Sequence, residues 1–245
     1  MNKVIVTGAS GGIGKEIAKN FASNGYQTIC FYNSNKDGVK ELENWAFANN
    51  IKGAIYPVKV NLSSPVSIGN AYKKLIEKFK SIDVLVNNAG ISLTKLITDT
   101  SLEEWNKVFD INMKSVFLLT NLVLEQMISK KNGKIINISS MWGVHGASME
   151  VAYSASKSAL IGYTKALAKE VGPSNINVNC VCPGLIDTKM NAHLSKEELS
   201  SLIDCTPLSR IGTPKDVANL VTFLASESAN FITGECITID GGFSL

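Results

Sequence analysis

Residues 3–14 read KVIVTGASGGIG, and the order of residue types in this stretch decides the fold. Val4, Ile5 and Val6 form an apolar run of strand length. The run breaks at Gly8, after which Ile13, Ile17 and Phe21 recur at helical spacing. Glycines at positions 8, 12 and 14 permit a tight turn and a close backbone approach. The start of the helix offers unpaired N–H groups and a partial positive charge to a diphosphate. The spacing is G-x-x-x-G-x-G, which differs from the general dinucleotide fingerprint G-x-G-x-x-G. Taken alone, the turn leaves a purely structural role open beside a nucleotide-binding one.

The same change of period repeats along the chain. Further candidate strands are residues 27–32 (QTICFY), 54–60 (AIYPVKV), 82–90 (IDVLVNNAG), 133–140 (GKIINISS), 176–184 (INVNCVCPG) and 236–242 (CITIDGG), which with residues 3–8 makes seven. Helices fill the gaps. One spans 13–24, and the stretch 102–129 is long enough to contain a break. Strands alternating with helices predict an α/β protein: a Rossmann-type, doubly wound, seven-stranded parallel sheet with helices on both faces. No repeat, linker or low-complexity tract divides the 245 residues, and 45% apolar content suffices for one core, so a single domain over 1–245 is expected.

Composition narrows the function classes. The net charge is +3 and the basic residues are dispersed among 21 acidic ones, which argues against nucleic acid and anionic membrane as partners. The first apolar run is too short for a signal-peptide core or a membrane span, so a cytoplasmic location is expected. Cys30, Cys180, Cys182, Cys205 and Cys236 are an odd set scattered mostly in apolar segments and read as buried free thiols. Cys180 and Cys182 have no second Cys or His pair nearby, and the histidines are His145 and His193 alone, so no metal site is expected.

The stretch 150–160, EVAYSASKSAL, places Tyr153 and Lys157 on one face of a helix. Such a pair is usually surface amphipathicity. Beside a glycine loop and Ser140 it takes on chemical meaning: a phenol can donate a proton, and a neighbouring cation lowers its pKa from about 10. Ser139 is an alternative to Ser140, but adjacent strand residues point to opposite faces. Tyr163 lies on the same helix without a Lys four residues later.

With these motifs in place, the chain resembles the short-chain dehydrogenase/reductase family over essentially its whole length. TGASGGIG (7–14) is similar to the family's cofactor loop, NNAG (87–90) to its adenosine-side segment, and PGLIDT (183–188) to the loop that meets the nicotinamide. Asn112, in FDINMKS, falls where the family has a helix-distorting Asn whose backbone holds a relay water. The resemblance implies Ser140, Tyr153, Lys157 and Asn112 as the catalytic set, with Ser140 rather than Ser139 at the family's spacing to Tyr153. It also implies cofactor contacts at Gly8, Ser10, Gly11, Gly12, Ile13, Gly14, Asn33, Ser34, Lys36, Asn61, Leu62, Asn88, Ala89, Gly90, Tyr153, Lys157, Pro183, Gly184, Ile186 and Thr188. Trp142 and Met149 join Ser140 and Tyr153 as substrate contacts, and residues 187–210 resemble the family's variable lid.

The ending PLSRIGTPKDVANLVTFLAS…ITGECITIDGG narrows the resemblance to the branch of 3-oxoacyl-[acyl-carrier-protein] reductases. That branch implies reduction of a 3-oxoacyl thioester, an acidic carrier protein docked by basic residues such as Lys130 and Lys131, and a homotetramer built through two long helices and the C-terminal strand. Ser174 stands where an Arg is frequent in that branch. SSMWGVHGASMEVAYSASKSA (139–159) also resembles a paralogous group that reduces a 5-aminopentanone group on elongation factor P, and a cofactor-binding regulator without turnover is a third reading. The second strand ends in CFYNSNKDG with no carboxylate to repel a 2′-phosphate, and Asn33, Ser34 and Lys36 favour NADP(H). Gly11 stands where many NADP(H)-using relatives carry Arg, which narrows the expected preference.

Overall fold

The structure is a computed structural model that describes residues 1–51, 54–192 and 194–244. His193, within the lid stretch, therefore lies outside the described residues. Among the described residues seven strands form one sheet: β1 (Lys3–Thr7), β2 (Gln27–Tyr32), β3 (Ile55–Lys59), β4 (Val84–Asn87), β5 (Gly133–Ile138), β6 (Ile176–Pro183) and β7 (Cys236–Ile239). Their order is β3-β2-β1-β4-β5-β6-β7, and every pairing is parallel. The central strands are nearly continuous runs of Val, Ile and Leu because helices cover both faces and leave no strand side for water.

Alternating side chains feed two cores. On one face Ile5, Ile29, Leu85, Ile135 and Val178 pack with α3 (Pro65–Phe79), α5 (Ser115–Lys130) and α7 (Val151–Val171). On the other, Val4, Val6, Val86, Ile136 and Val181 pack with α1 (Gly12–Ser23) and α9 (Pro214–Ala225), while α2 (Lys36–Ala48) adds Leu42. The direction in which successive strands are added to the sheet reverses between β1 and β4. The loops leaving these two strands diverge there, and a crevice opens at the carboxyl ends of the strands.

The long helical stretch does contain its expected break. It resolves into α4 (Leu102–Phe109), one π-helical turn at Asp110–Lys114, and α5. Asn112 sits in that turn and is fully buried. Wider π turns inside helices occur frequently at functional sites. The short α6 (Met141–His145) follows β5, and α8 (Lys196–Asp204) is the lid helix, started by a reciprocal capping box between Ser195 and Glu198. Among the described residues no helix is long and apolar enough to cross a membrane.

Candidate active site

A cleft of ≈ 1010 Å³ lies over the β1/β4 crevice. The glycine loop forms its floor. Gly8 has φ +67°, and a Cβ there would come within 3.1 Å of the Ala89 backbone. A Cβ on Gly14 would fall 2.3 Å from the Gly8 carbonyl oxygen and 2.5 Å from Asn88 Nδ2, so only glycine lets α1 begin this close to the end of β4. Thr7 completes the junction: its Oγ1 accepts hydrogen bonds from the Asn88 and Ala89 N–H groups, both at 2.9 Å, and Asn88 Nδ2 donates to the Thr7 carbonyl at 2.8 Å.

Gly8, Ser10, Gly11, Gly12 and Ile13 line the cleft, as do Asn33, Ser34, Asn61, Leu62, Asn88, Ala89 and Gly90. Pro183, Gly184, Ile186 and Thr188 line its far wall, with Ser140, Trp142, Tyr153 and Lys157 between. A floor of glycine backbone under the start of α1, walls of hydrogen-bonding side chains and this volume suit an extended dinucleotide.

Four expected residues sit elsewhere. Gly14 and Asn112 lie behind the lining. Lys36 borders a neighbouring shallow cavity with Tyr32, Val39, Lys40, Glu43 and Pro57. Lys36 begins α2, and Asn35 just before it is held to the glycine loop by Nδ2 donation to the Ser10 carbonyl at 2.7 Å. Met149 is exposed at the rim with φ +62°, and its carbonyl accepts a 2.6 Å hydrogen bond from the Lys95 N–H. Lys15 and, from the lid, Lys189 do line the cleft; Lys15 pairs with Glu41 at 2.5 Å, and both lysines lower the pKa of that carboxylate. Neither Lys15 nor Lys189 stands out in the sequence, because each side chain enters the cleft from an element whose rotation only the packed structure fixes. Leu194 and Leu202 bring the lid into the lining.

The chemical centre stands at the end of β5 and the start of α7. Ser140 caps α6, accepting from the Trp142 N–H at 3.1 Å, and its hydroxyl lies near enough to the Tyr153 phenol to favour the phenolate. Ser139 points the other way, donating to the Lys157 carbonyl at 2.8 Å and so fastening α7 to the sheet. Lys157 is 3% exposed, its Nζ donates to the Ile138 carbonyl at 2.8 Å, and it lies 5.7 Å from the centroid of the Tyr153 ring. Burial pushes the Tyr153 phenol up to about 12, with the nearby Ser140 hydroxyl acting in the opposite sense and Glu150 adding to the rise. Desolvation sets the direction, opposite to the lowering by Lys157 that the sequence argument expects. Burial also pulls the Lys157 ammonium down to about 8, against an upward push from the Cys180 and Cys182 thiols.

Asn112 joins this centre to the β4 loop through its side chain. Its Oδ1 accepts from the Ile91 N–H, while Nδ2 donates to the Ile91 carbonyl and to Ser156 Oγ, at 2.9, 2.9 and 3.0 Å. Beneath, Asn87 donates to Asn137 and Asn137 to Thr164, both at 2.9 Å, in a buried polar chain that crosses from β4 to α7. Over the substrate side, Phe243 meets Trp142 edge to face at 6.1 Å. The structure does not bring Lys130 and Lys131 to this entrance. They end α5 just before β5, and Lys130 lies against Ser81 and Asp83 ahead of β4, at the end of the sheet opposite the cleft.

A family model described as enoyl-(acyl carrier protein) reductase matches residues 8–244. Among curated proteins, the chain is 42% identical to the 3-oxoacyl-[acyl-carrier-protein] reductase of Aquifex aeolicus, over 97% of this chain and 95% of that one. It is 39% identical to the enzyme of the same name from Escherichia coli (98% and 96%) and 38% identical to that of Thermotoga maritima (98% and 97%). The fold, the glycine loop and the Ser140, Tyr153 and Lys157 cluster define a dinucleotide-dependent class of α/β proteins, and the chain belongs to the short-chain dehydrogenase/reductase family.

Removing the Asn112 amide would leave the part-buried Ile91 N–H and carbonyl without their partner and Ser156 Oγ with only its bond to the Tyr153 carbonyl. Asn112→Ala is expected to lower unfolding stability by roughly 2–4 kcal/mol in urea titration. A loss below about 1 kcal/mol would mean that the π turn does not depend on this clamp.

Proposed function

We propose that the protein is an NADPH-dependent reductase of 3-oxoacyl thioesters, of the 3-oxoacyl-[acyl-carrier-protein] reductase kind, acting in the cytoplasm. The observation that carries this reading is the Ser140 hydroxyl beside the Tyr153 phenol at the cleft wall, with the Lys157 ammonium buried behind them. That arrangement suits a substrate whose oxygen gains charge and then needs a proton. The names of the relatives, carbonyl reductases covered almost end to end, support the same substrate class.

When bound, a reduced nicotinamide supplies hydride to the carbonyl carbon. Tyr153 O–H gives its proton to the substrate oxygen, and Ser140 Oγ donates a hydrogen bond to that oxygen as charge develops. Lys157 stabilises the phenolate left behind. An ammonium has three donors, so its anchor at the Ile138 carbonyl leaves capacity to orient ribose hydroxyls. Leu194 and Leu202 of the lid and the Trp142/Phe243 pair keep water from the acyl side. A homotetramer fits the apolar side chains that α5 and α7 leave outward, Phe117 and Val151 among them, and sedimentation at micromolar concentration reads it out.

The direct test is NADPH oxidation with a 3-oxoacyl thioester such as acetoacetyl-CoA. Tyr153→Phe should cost at least about 100-fold in kcat with cofactor affinity nearly unchanged, because it removes a proton and little volume. Retained turnover in this variant would sink Tyr153 as the acid. In the wild type, the phenol stays protonated across the working range, while Lys157 loses its charge as pH rises through about 8. Reductive kcat/KM should therefore be level below that pH and fall about tenfold per unit above it; a level profile to about pH 10 would contradict the role given to Lys157.

For cofactor choice, Asn33 and Ser34 offer donors to a 2′-phosphate and Lys15 offers the charge that Gly11 lacks. Glu41, already paired with Lys15, competes for it and keeps the preference for NADPH moderate. Lys15→Ala should raise the Michaelis constant for NADPH by roughly tenfold and leave that for NADH little changed. Lys36→Ala should alter neither. Faster turnover with NADH than with NADPH in the wild type would refute this account of the loop.

A further inference from the structure

Three of the five cysteines meet at one place that the reductase chemistry does not use. Cys180 and Cys182 lie two apart on β6 and so point to the same face, the one covered by α7, and both are fully buried. Cys236 on β7 stands directly opposite Cys180 in the parallel register and is partly exposed. The Cys180 Sγ–H points to the Val181 carbonyl at 3.9 Å, and all three are free thiols.

We propose that Cys236 and Cys180 are a redox modification site, a dithiol that closes reversibly to a disulfide under mild oxidation by a hydroperoxide. Register decides the pairing. Directly opposed residues on neighbouring strands have Cα atoms about 4.8 Å apart, inside the disulfide window of about 4.4–6.8 Å. Cys180 and Cys182 are separated by two strand rises, about 6.6 Å, with side chains running parallel, so they sit at the edge of that window. Accessibility decides the order. Cys236 is partly exposed where Cys180 is fully buried, and nearby Lys165 favours its thiolate.

The Cys236 thiolate attacks one peroxide oxygen; the O–O bond breaks, hydroxide leaves and takes up the proton that Cys236 gave up, and a sulfenic acid remains. Cys180 sulfur then attacks the sulfenic sulfur. The S–S bond forms, the S–O bond breaks, and the hydroxyl leaves as water with the Cys180 proton. Two thiols lose two electrons, and the peroxide becomes two waters. A thiol reductant reverses the bond by exchange.

The full-length, fully reduced protein is treated with hydrogen peroxide under native conditions, then denatured, alkylated and analysed by thiol titration and peptide mass spectrometry. The expected result is a fall from five free thiols to three, a cross-linked peptide joining Cys180 to Cys236, and recovery of five with dithiothreitol. The same cross-link should persist in Cys205→Ser and vanish in both Cys236→Ser and Cys236→Ala. Oxidation confined to the exposed Cys205, a Cys180–Cys182 link, a Cys236 that proceeds to sulfinic acid without cross-linking, or a cross-link formed only after unfolding in urea would each overturn the proposal.

Discussion

The site depends on one junction, where the end of β1 is tied to the end of β4 by the Thr7 hydroxyl and the Asn88 amide. At a topological switch point the chain leaves the two central strands in opposite directions, which opens the crevice but also leaves main-chain groups exposed to be paired. Thr7 and Asn88 pair them without filling the space. Gly8 and Gly14 carry no side chain at the positions where a Cβ would strike this junction. The opening for a ligand and the fastening of its floor are therefore the same structural feature.

From that floor, support passes to the catalytic helix through polar groups in an otherwise apolar interior. Asn87, Asn137 and Thr164 connect β4, β5 and α7, and Asn112 ties the π turn to the loop after β4 and to Ser156. Such chains are worth little if half satisfied and fix one arrangement when complete. Here they hold Ser140 and Tyr153, which come from different elements, in a single relative position. Ser139 adds to this by bonding the Lys157 carbonyl.

Most of this was legible in the sequence because it follows from period and punctuation. Continuous apolar runs gave the buried strands, and the glycines marked the loop. The excessive length of 102–129 betrayed the break that became the π turn around Asn112. The family's spacing to Tyr153 selects Ser140 over Ser139, and strand alternation agrees with the opposite directions their hydroxyls take. What the sequence hid was rotation and distance. Lys36 is next in line after Asn33 and Ser34, yet the cap made by Asn35 starts α2 there and sends Lys36 to a different cavity. Lys15 follows the glycine motif and draws no notice until α1 is packed beside α2. Met149 lies between Ser140 and Tyr153 in sequence, but a positive φ and a bond to Lys95 hold it at the rim. Lys130 and Lys131 looked like docking residues only while the end of the sheet they occupy was unknown. The phenol of Tyr153 was expected to be acidified by its neighbour, and the depth of its burial, which no local pattern reports, reverses the direction.

That burial also sets the cost of the site. An ordinary lysine has a pKa of about 10.4, and the folded chain holds Lys157 near 8, so the folded state binds this proton less tightly than the unfolded one does. By linkage, the ammonium weighs against folding below about pH 8, and the burden fades as pH climbs toward the ordinary lysine value, where the unfolded chain loses its proton too. The Ile138 carbonyl offsets part of that cost by accepting from Nζ. An apolar residue at this position would relieve the cost entirely and leave Tyr153 with no cation beside it. Keeping a charge where solvent cannot reach it makes sense only if the charge acts on something that is also dry, and the Tyr153 phenol, 8% exposed, is that group.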